Sequence, residues 1–460
     1  MKKLIRAAAA ILAVVLTVPM FGCSVFNVFS VDSLIKAPRL TGDNAEIQKA
    51  FESAVGSEVS LVRPVAGEYR SAYVLHDYDG DGVNEAIVFY MPKDTAGEVR
   101  MHFLKYSETE RKWNSVTDVK GNGSDVHSIT FCNFDRDSVA EIAVAWAFAD
   151  GQKDKMLTVY RYSDTENSDK KDFVSLASVR ISDFNFIDVD FDGADELLYT
   201  IIDPASEKPT AQFKSLKYDI ATERFVPLSE VQLDSRIVSL VSYSHDMRAG
   251  NYRFYIDAQL SDGRYMTEIV FYDYSRSAFV RPVDENGVPL GEMTLRRPYI
   301  LSDDINSDGS VEVPRCELYE KSEVLSPKEG SDSSVFATEY YNFNGEKLIS
   351  VGMFYICDEL GIRIDLAKYR STAYIRFDRA SGSILFYSYP VENVIGDRLL
   401  FTVSSVPAVT TDYGSAAADT SEEKQRDKAQ THTVITQAGR ELGITPDSVE
   451  ADIQPIKTER

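Results

Sequence analysis

Residues 77–85 read Asp-Tyr-Asp-Gly-Asp-Gly-Val-Asn-Glu, and this stretch decides how the whole chain is interpreted. Aspartates occupy its first, third and fifth positions, a glycine follows at the sixth, and a glutamate closes it at the ninth. Carboxylates at alternate positions of a tight loop point inward together, and Ca²⁺ prefers a flexible cage of such oxygens. The closing acid of an EF-hand stands at position twelve, between helices, whereas strand-like apolar residues flank this stretch. We therefore predict a calcium loop that joins two β-strands.

The frame of this loop recurs at three later places. The four copies begin at Asp77, Asn133, Asp188 and Asp304, at intervals of 56, 55 and 116 residues. In the second copy Ser138 replaces the glycine, which would cost about 1 kcal/mol in a left-handed backbone and make this copy the weakest site. The repetition predicts three to four structural calcium ions.

The predicted ligands are the same in kind in every copy, four side chains and one backbone carbonyl. The side chains are those of Asp77, Asp79, Asp81 and Glu85; of Asn133, Asp135, Asp137 and Glu141; of Asp188, Asp190, Asp192 and Glu196; and of Asp304, Asn306, Asp308 and Glu312. The carbonyls are those of Val83, Val139, Ala194 and Ser310. Around Asp246 the acids of the frame are lost, so we expect no site there.

A second repeated element has the same period. An aromatic residue enters a hairpin at Tyr106, Tyr162, Tyr218, Tyr272 and Phe377. Four strand-like segments fit within each period, and in the first they are 71–75, 85–90, 100–106 and 113–118. Four antiparallel strands per repeat describe a propeller blade. The sequence predicts an all-β fold, a β-propeller of six or seven four-stranded blades with seven favoured, and short helices near both ends.

The first 22 residues have the features of a targeting segment. Lys2, Lys3 and Arg6 precede an apolar run over 7–18 that is short for a membrane span. Residues 20–23 read Met-Phe-Gly-Cys, which resembles a bacterial lipobox in which Cys23 carries a diacylglycerol anchor. We predict a lipoprotein signal peptide over 1–22 and attachment to the outer face of the cytoplasmic membrane. The alternative is an ordinary signal peptide with an incidental cysteine.

The rest of the chain divides into four predicted parts. Residues 23–42 form a tether, 43–405 the propeller with its calcium loops, 406–431 a flexible polar loop, and 432–460 a strand and helix that close or pack on the propeller. Apolar residues at helical spacing predict a helix from about residue 43 to Gly56, and Thr445-Pro446 is typical of a helix start.

The formal net charge of −23 limits the classes of binding partner that we expect. Nucleic-acid binding needs Lys and Arg surfaces to neutralise phosphates, so no nucleic acid is expected. Divalent cations or basic partners suit this charge better. After residue 23 the cysteines are Cys132, Cys316 and Cys357, an odd number in strand-like contexts, which favours buried thiols; a bridge between Cys316 and Cys357 is the alternative.

With its acidic loops between strands, the chain resembles the FG-GAP or VCBS-type repeats of integrin α-subunit propellers and bacterial surface proteins, over residues 38 to 405. Residues 40–44 and 67–72 are also similar to a group of uncharacterised lipoproteins of anaerobic Gram-positive bacteria. The resemblance implies a Gram-positive envelope and structural calcium between the strands of a blade. It implies no single function.

No Gly-x-Ser-x-Gly, His-Glu-x-x-His or phosphate-loop motif occurs in the sequence. The main hypothesis is a non-enzymatic binding or scaffolding protein for a protein or glycan ligand. The rivals are an envelope or polysaccharide hydrolase, in which acids such as Glu339 and Asp358 form a pair, and an envelope assembly factor. A flat aromatic patch would favour binding, and a convergent acid pair would favour hydrolysis.

Overall fold

A computed structural model describes residues 43–95, 97–148, 154–163, 172–329, 333–389, 398–405 and 431–456. Strands dominate these residues, and they pair almost entirely with their neighbours along the chain in antiparallel sheets. The chain is a β-propeller, as the repeats predicted. The signal peptide, the tether, the lipidation site and most of the polar loop predicted over 406–431 lie outside the described residues.

The first sheet has five strands and is covered by a helix. Its strands are β1 (Val59–Leu61), β2 (Tyr73–His76), β3 (Glu85–Pro92), β4 (Arg100–Ser107) and β5 (Lys112–Lys120), with β1 and β2 both paired to β3. Helix α1 (Asp43–Val55) buries Ile47 and Phe51 against Ala86 and Val88 of β3. Gly56, with φ +86°, follows the helix, because a residue without Cβ adopts this conformation without steric cost.

The next three sheets are four-stranded meanders. The second contains β6 (Asp125–Cys132), β7 (Glu141–Ala147), β8 (Lys155–Ser163) and β9 (Asp172–Ile181). The third contains β10 (Asp183–Ile187), β11 (Glu196–Asp203), β12 (Thr210–Asp219) and β13 (Arg224–Gln232). The fourth contains β14 (Ile237–Arg248), β15 (Asn251–Leu260), β16 (Tyr265–Asp273) and β17 (Ala278–Val280), and a 3₁₀ turn follows at Leu290–Thr294.

The last sheet has nine strands and contains two more four-stranded groups. The fifth group is β18 (Glu312–Leu325), β19 (Ser334–Phe343), β20 (Leu348–Cys357) and β21 (Ile362–Asp365). The sixth is β22 (Ala373–Asp378), β23 (Ser383–Ser388), β24 (Leu399–Ser405) and β25 (Thr431–Ile435). A short parallel pairing of β18 with β22 joins the two groups, and β26 (Ile453–Pro455) extends the fifth along β21.

Two short helices lie near the C-terminal end, α2 (Gln437–Glu441) and α3 (Pro446–Glu450). Thr445 caps α3 and forms a capping box with Ser448, and Pro446 occupies the first turn, as Thr445-Pro446 predicted. Ala438 and Val449 from these helices are buried in the core shared by the fifth and sixth groups.

The core lies between successive groups of strands. Among the described residues, five hydrophobic clusters each join one group of strands to the next along the chain, from the first and second groups to the fifth and sixth. Trp146 fills the first of these interfaces, and a Cβ at Gly121 would lie 2.4 Å from its ring. The described strands thus form six groups, the lower of the two predicted numbers. No cluster among the described residues joins the sixth group to the first, whose outer face is packed by α1.

All three described cysteines are free thiols, and two of them, Cys132 and Cys357, are buried in the core as the sequence favoured. Cys316 and Cys357 are therefore not bridged. Among the described residues, no helix has the length and apolar character needed to cross a membrane.

Candidate metal centres

The four predicted loops lie at equivalent places in the fold. Residues 77–84 join β2 to β3, 133–140 join β6 to β7, and 188–195 join β10 to β11. The fourth loop, 304–311, leads into β18, and a bridge between Asp303 and Glu312 closes it. In the fourth sheet, β14 and β15 instead meet in a tight turn at 249–250.

One hydrogen bond is repeated in all four loops. The carboxylate of the closing glutamate accepts the backbone N–H of the second loop residue at 3.0–3.1 Å. The four glutamates are fully buried. The donor and acceptor pairs are Tyr78 and Glu85, Phe134 and Glu141, Val189 and Glu196, and Ile305 and Glu312. The glutamate therefore fixes the turn that each copy of the motif makes.

The fifth side chain of each loop also has a repeated contact. Its carboxylate accepts the N–H of the seventh residue at 2.7–3.0 Å, as in Asp81 with Val83. The first side chain accepts several further amides: Asp77 accepts those of Gly80, Asp81 and Gly82. The loops are thus folded by their own backbone amides, and the predicted ligand side chains converge because these bonds orient them.

The backbone at the sixth position corrects one prediction. Gly82, Gly193 and Gly309 have φ between +82° and +88°, but Ser138 is not among the residues with positive φ. The second loop therefore avoids the left-handed conformation at this position, and the strain expected for Ser138 is absent. The fourth residue has a left-handed conformation in all four loops, including the second; these residues are Gly80, Arg136, Phe191 and Ser307.

The first and third loops gather their acids most closely. Carboxylate oxygens of Asp77, Asp79 and Glu85 lie within 4.8 Å of one another, and so do those of Asp188, Asp190 and Glu196. The second and fourth loops form no such group among the described residues. In the first and third loops, each group thus contains two of the three acids predicted at alternate positions, together with the closing glutamate.

The first and third loops also contain buried oxygens that accept no hydrogen bond. They are Oε1 of Glu85, Oδ1 of Asp79 and Oε1 of Glu196. Burial, reinforced by the neighbouring aspartate, raises the pKa of Glu85 and of Glu196 from an ordinary value of 4.5 to about 7. Buried carboxylate oxygens are costly unless a positive charge or a donor compensates them, and in these loops the nearest one is a lysine Nζ, 3.9 Å from Oε1 of Glu85 and 3.3 Å from Oε1 of Glu196, so the loops are suited to a cation.

A basic side chain that the loop motif does not reveal enters three of the loops. It lies beside the closing glutamate at the end of the ladder, one residue beyond the pairs Ala86–Leu104, Ile142–Tyr160 and Leu197–Leu216: Lys105 with Glu85, Arg161 with Glu141, and Lys217 with Glu196. Each forms ion pairs with the loop acids. The signal was present in the hairpin element, because a Lys or Arg precedes the aromatic residue in the first three copies.

The loops also connect neighbouring sheets. In the second, third and fourth loops the residue before the closing glutamate bonds to the preceding sheet: the N–H of Ala140 donates to the carbonyl of Tyr78 at 3.2 Å. The N–H of Asp195 donates to the carbonyl of Asn133 at 2.8 Å, and the N–H of Val311 donates to the carboxylate of Asp246 at 2.8 Å. These hydrogen bonds between sheets therefore depend on the folded conformation of each loop.

An exposed aromatic patch lies beside the third loop. We define the patch as Phe191, Tyr252 and Tyr274. The ring of Phe191 is nearly parallel to that of Tyr274, at 10° and 6.3 Å between centroids, and lies 5.9 Å from that of Tyr252. Phe191 is 55% exposed and Tyr274 40% exposed. Phe191 has φ +59°, an uncommon conformation for a bulky residue.

Neither His76, which precedes the first loop, nor the acids Glu339 and Asp358 have a catalytic arrangement. His76 stacks on Phe131 with 3.6 Å between ring centroids, so it packs as a strand residue next to the first loop. Glu339 pairs across the ladder with Met353 of β20, five residues before Asp358, which follows the end of that strand, so the two acids are separated by about 17 Å along the strand direction. That separation exceeds the spacing of glycosidase carboxylates.

No protein-family model matches the sequence, and no curated protein matches it either. Solved structures with a similar fold are known. One is a hypothetical selenium-binding protein from Sulfolobus tokodaii, with 11% identity, a TM-score of 0.29 and coverage of 47% of this chain. The chain spans about half the length of that protein, 55%.

Two further structures are β-propeller proteins. Sqt1 from Saccharomyces cerevisiae is 12% identical, with a TM-score of 0.28 and coverage of 70% of this chain and 75% of that one. An exo-beta-1,3-galactanase from Phanerochaete chrysosporium is 11% identical, with a TM-score of 0.30 and coverage of 75% and 79%. Likenesses at this level carry no function to the chain.

Proposed function

We propose that this chain is a calcium-stabilised β-propeller that binds a ligand at the cell surface without catalysing a reaction. The observation that carries the calcium part is the pair of buried glutamates, Glu85 and Glu196, each with an oxygen that lies among aspartate carboxylates and near a single lysine Nζ, without a well-formed hydrogen bond. Hard divalent ions with flexible coordination suit such all-oxygen sites, and Ca²⁺ suits them better than Mg²⁺.

The donor sets of the first and third loops fit the ion best. Asp77, Asp79 and Glu85 would hold it in one, and Asp188, Asp190 and Glu196 in the other, while Asp81, Asp192 and the predicted carbonyls of Val83 and Ala194 complete the shells. The ion would offset the repulsion among these acids. The second and fourth loops offer less, since no third acid lies within the same distance there.

The calcium proposal is tested by titration calorimetry of the purified full-length protein after chelation. We expect saturable heat of calcium uptake with at least two ions per chain and a dissociation constant of about 10⁻⁴–10⁻³ M or tighter. The variant Glu85→Gln/Glu196→Gln should lose most of that heat. A wild-type protein that shows no heat and no change of Tm between EDTA and 10 mM calcium would refute the proposal.

The ligand-binding part is supported by the aromatic patch. Exposed, nearly parallel rings offer flat apolar faces for stacking. Burial is the main cause that raises the pKa of Tyr274, followed by Tyr272 and Tyr252 and then by Asp190 and Asp188, so the acids of the third loop lie near the rings as hydrogen-bond acceptors. A neutral glycan combines apolar faces with hydroxyl donors and meets no charge repulsion on an acidic protein. We propose a neutral glycan as the ligand, in preference to a protein.

Affinity electrophoresis of full-length protein in gels with neutral polysaccharides tests this choice. Wild type should be retarded, and Phe191→Ala should migrate as in a blank gel. Phe225→Ala is not a suitable control, because that ring packs in the core. Tyr299→Ala is a better matched control, because this aromatic ring is 47% exposed and lies outside the patch, and it should bind as wild type. Equal retardation of wild type and Phe191→Ala, or none for either, would contradict the assignment.

Export and lipid attachment complete the proposal and rest on the sequence of residues 1–23. Cells grown with an alkyne-labelled fatty acid should incorporate the label in the wild-type protein and not in Cys23→Ala. Labelling of both proteins, or of neither, would count against a diacylglycerol anchor on Cys23. In Gram-positive cells the labelled protein should be accessible to protease added outside.

A further inference from the structure

Lys105 and Lys217 lie where a bound cation would meet the acids of the first and third loops. The Nζ atom of Lys217 lies 2.6 Å from carboxylate oxygens of both Asp190 and Asp192, and 3.3 Å from Oε1 of Glu196. The Nζ atom of Lys105 is likewise 2.8 Å from Asp81 and 3.9 Å from Oε1 of Glu85. The buried glutamate oxygens thus face an ammonium group and the aspartates.

We propose that Lys105 and Lys217 are internal counter-ions that compete with calcium and set the calcium concentration at which their loops fill. This inference rests on the calcium sites proposed above and names what regulates them. An ammonium group cannot remain among the same carboxylates as a divalent ion, because the two cations repel strongly at such distances. Calcium binding therefore requires the lysine to leave.

The two lysines are free to make that move. Their side chains are 27% and 28% exposed, and a lysine has a long flexible stem that can carry its charge to the solvent. Each side chain can exchange its carboxylate partners for water while its strand, β4 or β12, stays in place. The loop acids are then neutralised by lysine at low calcium and by the ion at high calcium.

Arg161 shows what happens when the counter-ion cannot leave as easily. Its Nε and Nη2 atoms donate to the same oxygen of Glu141 at 3.0 and 2.8 Å, and Nη1 donates to the hydroxyl of Tyr218 at 2.9 Å. The guanidinium group also lies 4.9 Å from the centre of the Tyr218 ring. A guanidinium held by this many partners takes the place of the ion in the second loop. We therefore expect the second loop to bind no calcium.

The fourth loop has no cation at the equivalent position. Asn342 lies directly opposite Glu312, and its amide donates to Oε1 of the glutamate at 3.4 Å. The series Lys, Arg, Lys and Asn therefore distinguishes the four loops at this position, in addition to the replacement of an acid by Asn133 in the second loop and by Asn306 in the fourth. Any calcium bound by the fourth loop would meet no competing side chain from that position.

The test uses full-length Lys105→Met/Lys217→Met, which keeps the aliphatic stems and removes both charges. Lys214→Met is the matched control, since Lys214 lies on the same strand β12 but pairs with Glu230 at the surface. Calcium affinity is measured by competition with a chromophoric chelator, and Tm is measured in EDTA. We expect the double variant to bind calcium about tenfold more tightly or better, and to melt at a lower temperature than wild type in EDTA.

Both effects should be absent in Lys214→Met. Unchanged or weaker calcium affinity in the double variant, with wild type binding normally, would overturn the counter-ion role and leave the calcium sites intact. Tight binding by the double variant alone would support the role even if wild type bound too weakly to measure. If neither protein bound calcium, both the inference and the proposed calcium sites would be overturned.

Discussion

The change Glu196→Gln isolates the contribution of one acidic loop. Glutamine retains an oxygen that can accept the N–H of Val189, which Glu196 accepts at 3.0 Å, and it removes a fully buried charge. In EDTA the variant should therefore be at least as stable as wild type, because an unfavourable buried carboxylate is gone. In calcium it should gain less stability than wild type, because the third loop has lost one of its charged ligands.

The size of the loss follows from binding linkage. A site held at ten times its dissociation constant adds about 1.4 kcal/mol to the free energy of unfolding. Unfolding entropy is about 2.1 cal/mol/K per residue, or about 0.8 kcal/mol/K for the roughly 360 residues described. Each filled site should thus raise Tm by about 2 °C, so wild type gains about 4 °C from the first and third loops and Glu196→Gln about 2 °C.

Differential scanning calorimetry in EDTA and in 10 mM calcium measures these shifts. Glu230→Gln is the control on the neighbouring strand β13, because the partners of Glu230 are Lys214, Gln212 and Gln232, which lie outside the calcium loops. The control should keep the full gain. A calcium-dependent gain in Glu196→Gln equal to that of wild type would show that the third loop contributes nothing, and the reasoning would fail.

Three further predictions concern stability. In EDTA, lowering the pH from 8 towards 5 should raise the free energy of unfolding. The pKa of Glu85 and of Glu196 is about 7 in the folded protein against 4.5 in the unfolded chain, so between those pH values the folded protein binds these protons more tightly. A fall in Tm over that range would contradict this. Phe51→Ala should cost about 3–5 kcal/mol in urea denaturation, because a ring buried between α1 and β3 leaves a cavity; a cost below about 1 kcal/mol would show that α1 does not cover the sheet. Asp246→Ala should cost about 2 kcal/mol by leaving the N–H of Val311 without its acceptor, and Asp246→Asn should cost less; equal costs would show that this bond between sheets is unimportant.

The fold could be predicted largely from local pattern. The nine-residue motif at 77–85 fixes a turn between two strands, and its recurrence sets the period of the sheets, so strand positions in the first repeat came within two residues of those observed. The blade number was less certain, because the region after Asp304 follows no regular spacing. There, one nine-stranded sheet joins two groups through the parallel pairing of β18 with β22, a contact between distant segments that no local pattern encodes.

The candidate site could be predicted only in part for the same reason. The acids of each loop are close in sequence, so their convergence follows from the turn. Lys105 and Lys217 lie about twenty residues further along the chain and reach the loops only through the register of β3 with β4 and of β11 with β12. The pairing of Phe191 with Tyr252 and Tyr274 likewise depends on contact between the third and fourth sheets.

The most direct test is a crystal structure of the protein grown in 10 mM calcium, with diffraction collected at a wavelength where calcium scatters anomalously. We predict anomalous peaks among Asp77, Asp79 and Glu85 and among Asp188, Asp190 and Glu196, with Lys105 and Lys217 turned towards the solvent. Ordered loops that keep both lysines on their carboxylates and show no peak would contradict the account.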